Sequence, residues 1–203
     1  MSYIVQHYIG GQLTNETNTK SHSIYNPALG ELIGQVHFAS KSLCDKAIAT
    51  AKEAGIGWAQ TPAIKRARIL FKFRELLEKN QLDLARIITR EHGKTLDDAK
   101  GSVARAIEVV ELHCGLVNQL KGEFSPDVTN GVDCHPLRQP IGVCTGVSPF
   151  NFPVMVPVWM MIPAIACGNT FIIKPSEQDP SAPVRLLELL TDAGLPAGVA
   201  NCV

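Results

Sequence analysis

"IGVCTGVSPFNFPVMVPVWMMIPAIACGNTFIIKPSE" (Ile141–Glu177) decides the fold of this chain. Ile141–Ser148 reads as a strand, proline opens an apolar helix from Pro153 to about Ala166, and Asn169–Lys174 reads as a second strand. A helix from Ala182 to Ala193 follows, ended by Gly194 and Pro196, and "GVANCV" (198–203) opens a third strand. Strands alternating with helices in this way predict an α/β fold, an open parallel sheet with crossover helices. No charged residue occurs from Gln139 to Ile173, a run long enough to raise a membrane span. Pro140, Pro149, Pro153, Pro157 and Pro163, with Gly142, Gly146 and Gly168, divide it into pieces that could not pair their backbone in lipid. A buried sheet and helix are predicted instead, with no membrane insertion.

Ligands of an open parallel sheet bind beyond the carboxyl ends of its strands. The first strand runs out into Ser148, Pro149, Phe150 and Asn151, the second into Lys174, Pro175, Ser176 and Glu177. An asparagine at that edge can donate its amide to a developing oxyanion without adding a titratable group. Lys174 and Glu177 can hold ribose hydroxyls, one as donor and one as acceptor, and all three residues are expected to border one crevice. Plainer readings of the same residues are a helix cap for Asn151 and a solvated ion pair for Lys174 with Glu177.

Upstream, residues 1–40 alternate short β-rich pieces, "QHYIGG" (6–11) and "ELIGQVHFAS" (31–40), with a turn at "YNPALGE" (25–31). They predict hairpin strands laid on a larger body. From Ser42 to about Gln119 the texture is helical, including a helix opened by Pro62. In "KTLDDAKGSVARAIEVVELHCGLVNQL" (94–120), Val103, Ile107, Val110, Cys114 and Val117 form one stripe, and Val109, Leu112 and Leu116 a second nearly opposite. Two apolar sides predict a helix buried between layers. Arg105 lies on the second side, where it must meet a carboxylate, sit at a rim or face a solvated cleft. Asn130-Gly131 predicts a tight hairpin within residues 122–139, whose strands need another sheet, on this chain or on a second subunit.

Composition narrows the function classes. With 45% hydrophobic and 19% charged residues, and nineteen basic residues balancing nineteen acidic ones, a globular unit with no global field for nucleic acid is expected. The six cysteines and six histidines are scattered without metal-ligand spacing, which predicts reduced thiols, no metal site and a cytoplasmic location. "MSYIVQHYIGG" (1–11) has no basic segment followed by an apolar core, so no signal peptide is expected. Because Val203 falls inside a predicted strand, the chain is expected to be the amino-terminal part of a longer protein.

"SPFNFP" (148–153), "GNTFIIKPSE" (168–177), "EHGKTLDDAKG" (91–101) and "AGLPAGVANCV" (193–203), in this arrangement along the chain, resemble the aldehyde dehydrogenase superfamily. The resemblance covers essentially the whole chain. It implies the amino-terminal part of that fold: residues 1–121 as strands and helices of the NAD-binding domain, 122–139 as an oligomerisation hairpin, and 140–203 as the first βαβαβ part, with the catalytic domain absent. It also implies Asn151 as a donor of the oxyanion hole, Lys174 and Glu177 on the adenosine ribose of NAD, and Ser148, Pro149 and Phe150 lining the cofactor cleft. A carboxylate at Glu177 favours NAD over NADP. The absence of G-x-G-x-x-G does not count against this family.

Phe150 in place of tryptophan, with "VWMMIPAIACGNTFIIKPSE" (158–177), resembles the CoA-acylating methylmalonate-semialdehyde dehydrogenases. That branch implies Arg105 as the ligand of a substrate carboxylate, held bidentately. The implied activity of the whole protein is oxidation of methylmalonate or malonate semialdehyde with NAD, and CoA as co-substrate, by a homo-oligomer. None of the six cysteines matches the family's nucleophile, so the 203-residue chain alone is expected to be inactive. The alternatives are a hydrolytic aldehyde dehydrogenase and a truncated, non-catalytic nucleotide-binding or interaction fragment.

Overall fold

The computed structural model describes residues 3–203. Its centre is a five-stranded sheet built from β2 (His7–Ile9), β3 (Gln12–Thr14), β8 (Val143–Val147), β9 (Thr170–Lys174) and β10 (Ala200–Cys202), in the order β3-β2-β10-β9-β8. The strands β8, β9 and β10 are parallel, and β2 joins β10 antiparallel, so the early "QHYIGG" hairpin extends the late sheet. Interior strand β9, between β10 and β8, is buried on both faces, as its unbroken apolar run requires. Phe171 and Ile173 point into the main core and Ile172 into the smaller core under α1 (Lys41–Gln60), the period-2 alternation of a strand.

On the main-core side lie the two crossover helices, α5 (Met155–Ala166) and α6 (Ser181–Asp192). The apolar α5 starts two residues later than Pro153 suggests, although Val156 N–H already bonds Phe152 O at 3.2 Å. Helices α2 (Ala63–Lys79), α3 (Gln81–His92) and α4 (Leu96–Cys114) form an outer layer over it. Trp58 ties α1 to this assembly through its indole N–H, which donates to Ile165 O at 3.1 Å inside the core. A separate three-stranded sheet, in the order β1-β5-β4, combines β1 (Tyr3–Val5), β4 (Ser21–Asn26) and β5 (Glu31–His37).

Two expectations need correction or refinement. The first stripe of α4 is buried from Val103 to Cys114, with Val103 and Val110 fully so, while Val117, beyond the end of α4, is half-buried; in the second, Leu112 is 64% exposed and Val109 and Leu116 are half-buried. Val109 and Leu116 still pack against the edge of the main core, so the second stripe is covered only in part and Leu112 is left open. Second, β6 (Ser125–Thr129) and β7 (Val132–Cys134) form the expected hairpin around Asn130-Gly131, yet all their residues are exposed and among the described residues they join no other sheet. No helix among the described residues is long and apolar enough to cross a membrane.

Candidate active site

Parallel pairing brings the carboxyl ends of β8 and β9 into register, Val147 beside Lys174. One more bond, Ser148 N–H to Lys174 O at 3.0 Å, carries the pairing into the loop. Beyond it the two loops diverge. Ser148 is buried, and its hydroxyl has no partner among the described residues; Pro149, Phe150 and Asn151 are exposed.

The loop after β9 holds the ion pair of Lys174 Nζ with Glu177 Oε2, 2.8 Å, each side chain about two-fifths exposed. That bond is the largest cause holding the Glu177 carboxyl below the usual carboxylate range, so an ionised acceptor and an ammonium donor stand side by side. Both border a cavity of about 170 Å³, walled also by His7, His37, Val36 and Val184. A donor beside an acceptor, both open to solvent, fits a pair of vicinal hydroxyls such as those of a ribose.

Asn151 is outside that cavity, contrary to the expectation of one crevice for all three residues. The reason is the direction of each loop: residues 175–177 fold toward β5, whereas residues 149–152 turn toward the corner between α3 and α4. The Asn151 carbonyl accepts from Lys94 Nζ at 2.9 Å. Its carboxamide has no partner among the described residues and does not cap α5, whose N-cap is Val154. The ring of Phe150 stacks on His92, centroids 6.1 Å apart, and the Phe152 ring lies 4.5 Å from Lys94 Nζ.

Arg105 is exposed on α4 and has no ion pair among the described residues, so neither a buried carboxylate partner nor a layer above it is present. It lies three residues beyond Ser102, whose hydroxyl is 3.5 Å from the same Lys94 ammonium that meets the Asn151 loop. The cysteines are free. Burial pushes the Cys114 thiol up to about 11 and the Cys202 thiol to about 12, and raises Cys144, which is the opposite of an activated nucleophile.

Two residues of this region escaped the sequence reading. Lys94 lies inside "EHGKTLDDAKG" between the helix-ending Gly93 and the helix-capping Thr95, a setting that reads as solvated linker. Its side chain is only 8% exposed. Asp179, in "QDPS" (178–181), reads as a cap for α6 but caps nothing: it is 1% exposed and neither carboxyl oxygen has a partner among the described residues. Among the described residues there is no cluster of three His, Cys, Asp or Glu able to hold a metal.

The aldehyde dehydrogenase family profile matches residues 14–203. Over 200 residues the chain is 48% identical to malonate-semialdehyde dehydrogenase 3 of Bacillus cereus, covering 98% of this chain and 41% of that protein. Against the malonate-semialdehyde dehydrogenase of Pseudomonas aeruginosa the identity is 47% over 199 residues, covering 98% of this chain and 40% of the relative. The crystal structure of a putative methylmalonate-semialdehyde dehydrogenase from Sinorhizobium meliloti, complexed with NAD, superposes with a TM-score of 0.98 at 48% identity. It covers all of this chain, which matches 41% of that one. The chain therefore spans about two-fifths of the length of the relatives it matches.

Proposed function

The chain belongs to the aldehyde dehydrogenase family, and from that premise we propose that the protein bearing it oxidises malonate or methylmalonate semialdehyde with NAD, passing the acyl group to CoA. One observation carries the reading: an asparagine carboxamide without a partner among the described residues just past the end of β8, next to a strand that runs out into the Lys174–Glu177 pair. NAD, when bound, supplies the hydride acceptor.

In this reading Lys174 donates to, and Glu177 accepts from, the adenosine ribose hydroxyls, and the Glu177 carboxylate repels a 2′-phosphate. Ser148, Pro149 and Phe150 line the approach to the cofactor. Asn151 donates its amide N–H to the aldehyde oxygen as negative charge develops there. Arg105, exposed and without an ion pair among the described residues, takes the carboxylate end of the semialdehyde as a bidentate ligand. The hairpin of residues 125–134 associates copies of the protein, and the free thiols suit a reducing compartment, the cytoplasm.

The test uses the protein expressed from its complete reading frame, following reduced nicotinamide and acyl-CoA together. Asn151→Ala is expected to lower kcat about 10²- to 10³-fold. Arg105→Ala should lose the acidic semialdehyde while sparing a neutral aldehyde. Turnover that leaves CoA untouched would favour the hydrolytic alternative, and equal loss of both aldehydes would remove Arg105 from the substrate site. The 203-residue chain by itself is expected to reduce no NAD, since none of its six cysteines matches the family's nucleophile.

A further inference from the structure

Lysine is seldom buried, because desolvating an ammonium is costly unless it is paired. Lys94 is nonetheless buried over all but 8% of its side chain, and its root is fixed at both ends. Gly93 before it ends α3 in the left-handed region, φ 87°, with its N–H on Thr89 O at 3.0 Å. Thr95 after it caps α4, its hydroxyl accepting from Asp98 N–H at 3.3 Å. A side chain rooted between two caps has a defined direction, and this one ends on the Asn151 loop.

The ammonium donates to Asn151 O at 2.9 Å, lies 4.5 Å from the Phe152 ring centre, and is 3.5 Å from both Ser102 Oγ and the Asp98 carboxylate. One position earlier, Phe150 stacks on His92. Both aromatic neighbours of Asn151 are thus held against the α3–α4 corner, and the backbone between them is pinned by the lysine. The Asn151 carboxamide is the one polar side-chain group in residues 150–152, and it has no hydrogen-bond partner among the described residues.

We propose that Lys94 is the positioning residue for Asn151: it does not touch substrate, but it fixes the backbone that aims the carboxamide. The inference rests on the proposed role of Asn151 in the oxyanion hole. A donor must stand within hydrogen-bond reach of the position the oxyanion takes, so slack in this loop lowers transition-state stabilisation more than binding.

Two measurements separate this inference from the reading it rests on. In the protein from its complete reading frame, Lys94→Met should lower kcat about 10- to 100-fold with KM for NAD changed less than about 3-fold, and Lys94→Arg, which keeps the charge, should recover most of the loss. A purely structural lysine would instead lower the melting temperature and raise KM for NAD together with the loss in kcat, and that result overturns the proposal. In the 203-residue chain, the side-chain amide NMR signals of Asn151, assigned by their loss in Asn151→Asp, should shift or broaden in Lys94→Met and stay near wild type in Lys94→Arg. Signals unmoved by Lys94→Met overturn the proposal whether or not the protein is a dehydrogenase. Moved signals in a protein without dehydrogenase activity support the positioning and overturn the functional reading alone. If Lys94→Met does not fold, Phe152→Leu removes the ring beneath the ammonium and is read in its place, with a smaller shift in the same signals expected and no shift counting against.

Discussion

Asp179 has little reason to ionise. It is 1% exposed, its oxygens have no side-chain partner among the described residues, and Glu91 is the larger source of further repulsion, opposed by Lys94. Burial first, and Glu91 second, push its carboxyl from the ordinary 3.8 up to about 8. Between these two values the unfolded chain has lost the proton that the folded chain keeps, so this group makes the fold less stable as pH rises from about 4 to about 8. Burial lowers the His7 and His92 pKa values, which works in the other direction: their contribution is lost as pH falls below about 6.5. Comparing variants cancels the histidines. The melting temperature of Asp179→Asn minus that of wild type, measured from pH 5 to 8, is expected to rise with pH; a flat difference would mean that the carboxyl is ionised in the fold. Asp179 and Lys94 were illegible in sequence for the same reason. Each stands at a helix boundary, where polar residues ordinarily reach water or caps, and only the packing of α3, α6 and the β9 loop removes the water.

At the scale of elements, close contact between strand and helix sets a limit that one substitution can probe. Gly146 in β8 is buried, and a Cβ there would stand 2.9 Å from Met160 Sδ on α5 and 2.9 Å from Phe171 Cζ on β9. The thioether can yield, but the ring is held in the core. Gly146→Ala is expected to cost about 1–3 kcal/mol in chemical denaturation; an unchanged midpoint would mean that α5 can move off the sheet. Strand and helix spans from residue 141 onward were readable to within a residue or two, because β-branched runs, prolines and Gly194 carry strong local signals. The outer stripe of α4 was misread. Val109, Leu112 and Leu116 have the spacing of a buried face, but periodicity reports only that apolar residues share a side, not how far each is covered: Val109 and Leu116 pack against the core edge and Leu112 does not.

For the whole molecule, the hairpin of β6 and β7 is the part least explained by the chain's own packing. A two-stranded ribbon is marginal alone, and this one presents Val128 at 57% and Val132 at 48% exposure. In the protein from its complete reading frame, association into dimers or larger assemblies is expected in sedimentation, and Val128→Glu with Val132→Glu should shift the population toward monomer. A monomeric wild type would remove that role. The sequence by itself determined the parallel β8–β9–β10 core, the helical layer, the tight turn at Asn130-Gly131 and the family, since each follows from local periodicity, turn chemistry and motif order. Only the tertiary structure decided that β2 extends the late sheet, that Asn151 stands apart from the cavity of Lys174 and Glu177, and that a buried lysine holds its loop. Those outcomes depend on which distant segments exclude water from one another, and no local pattern encodes that.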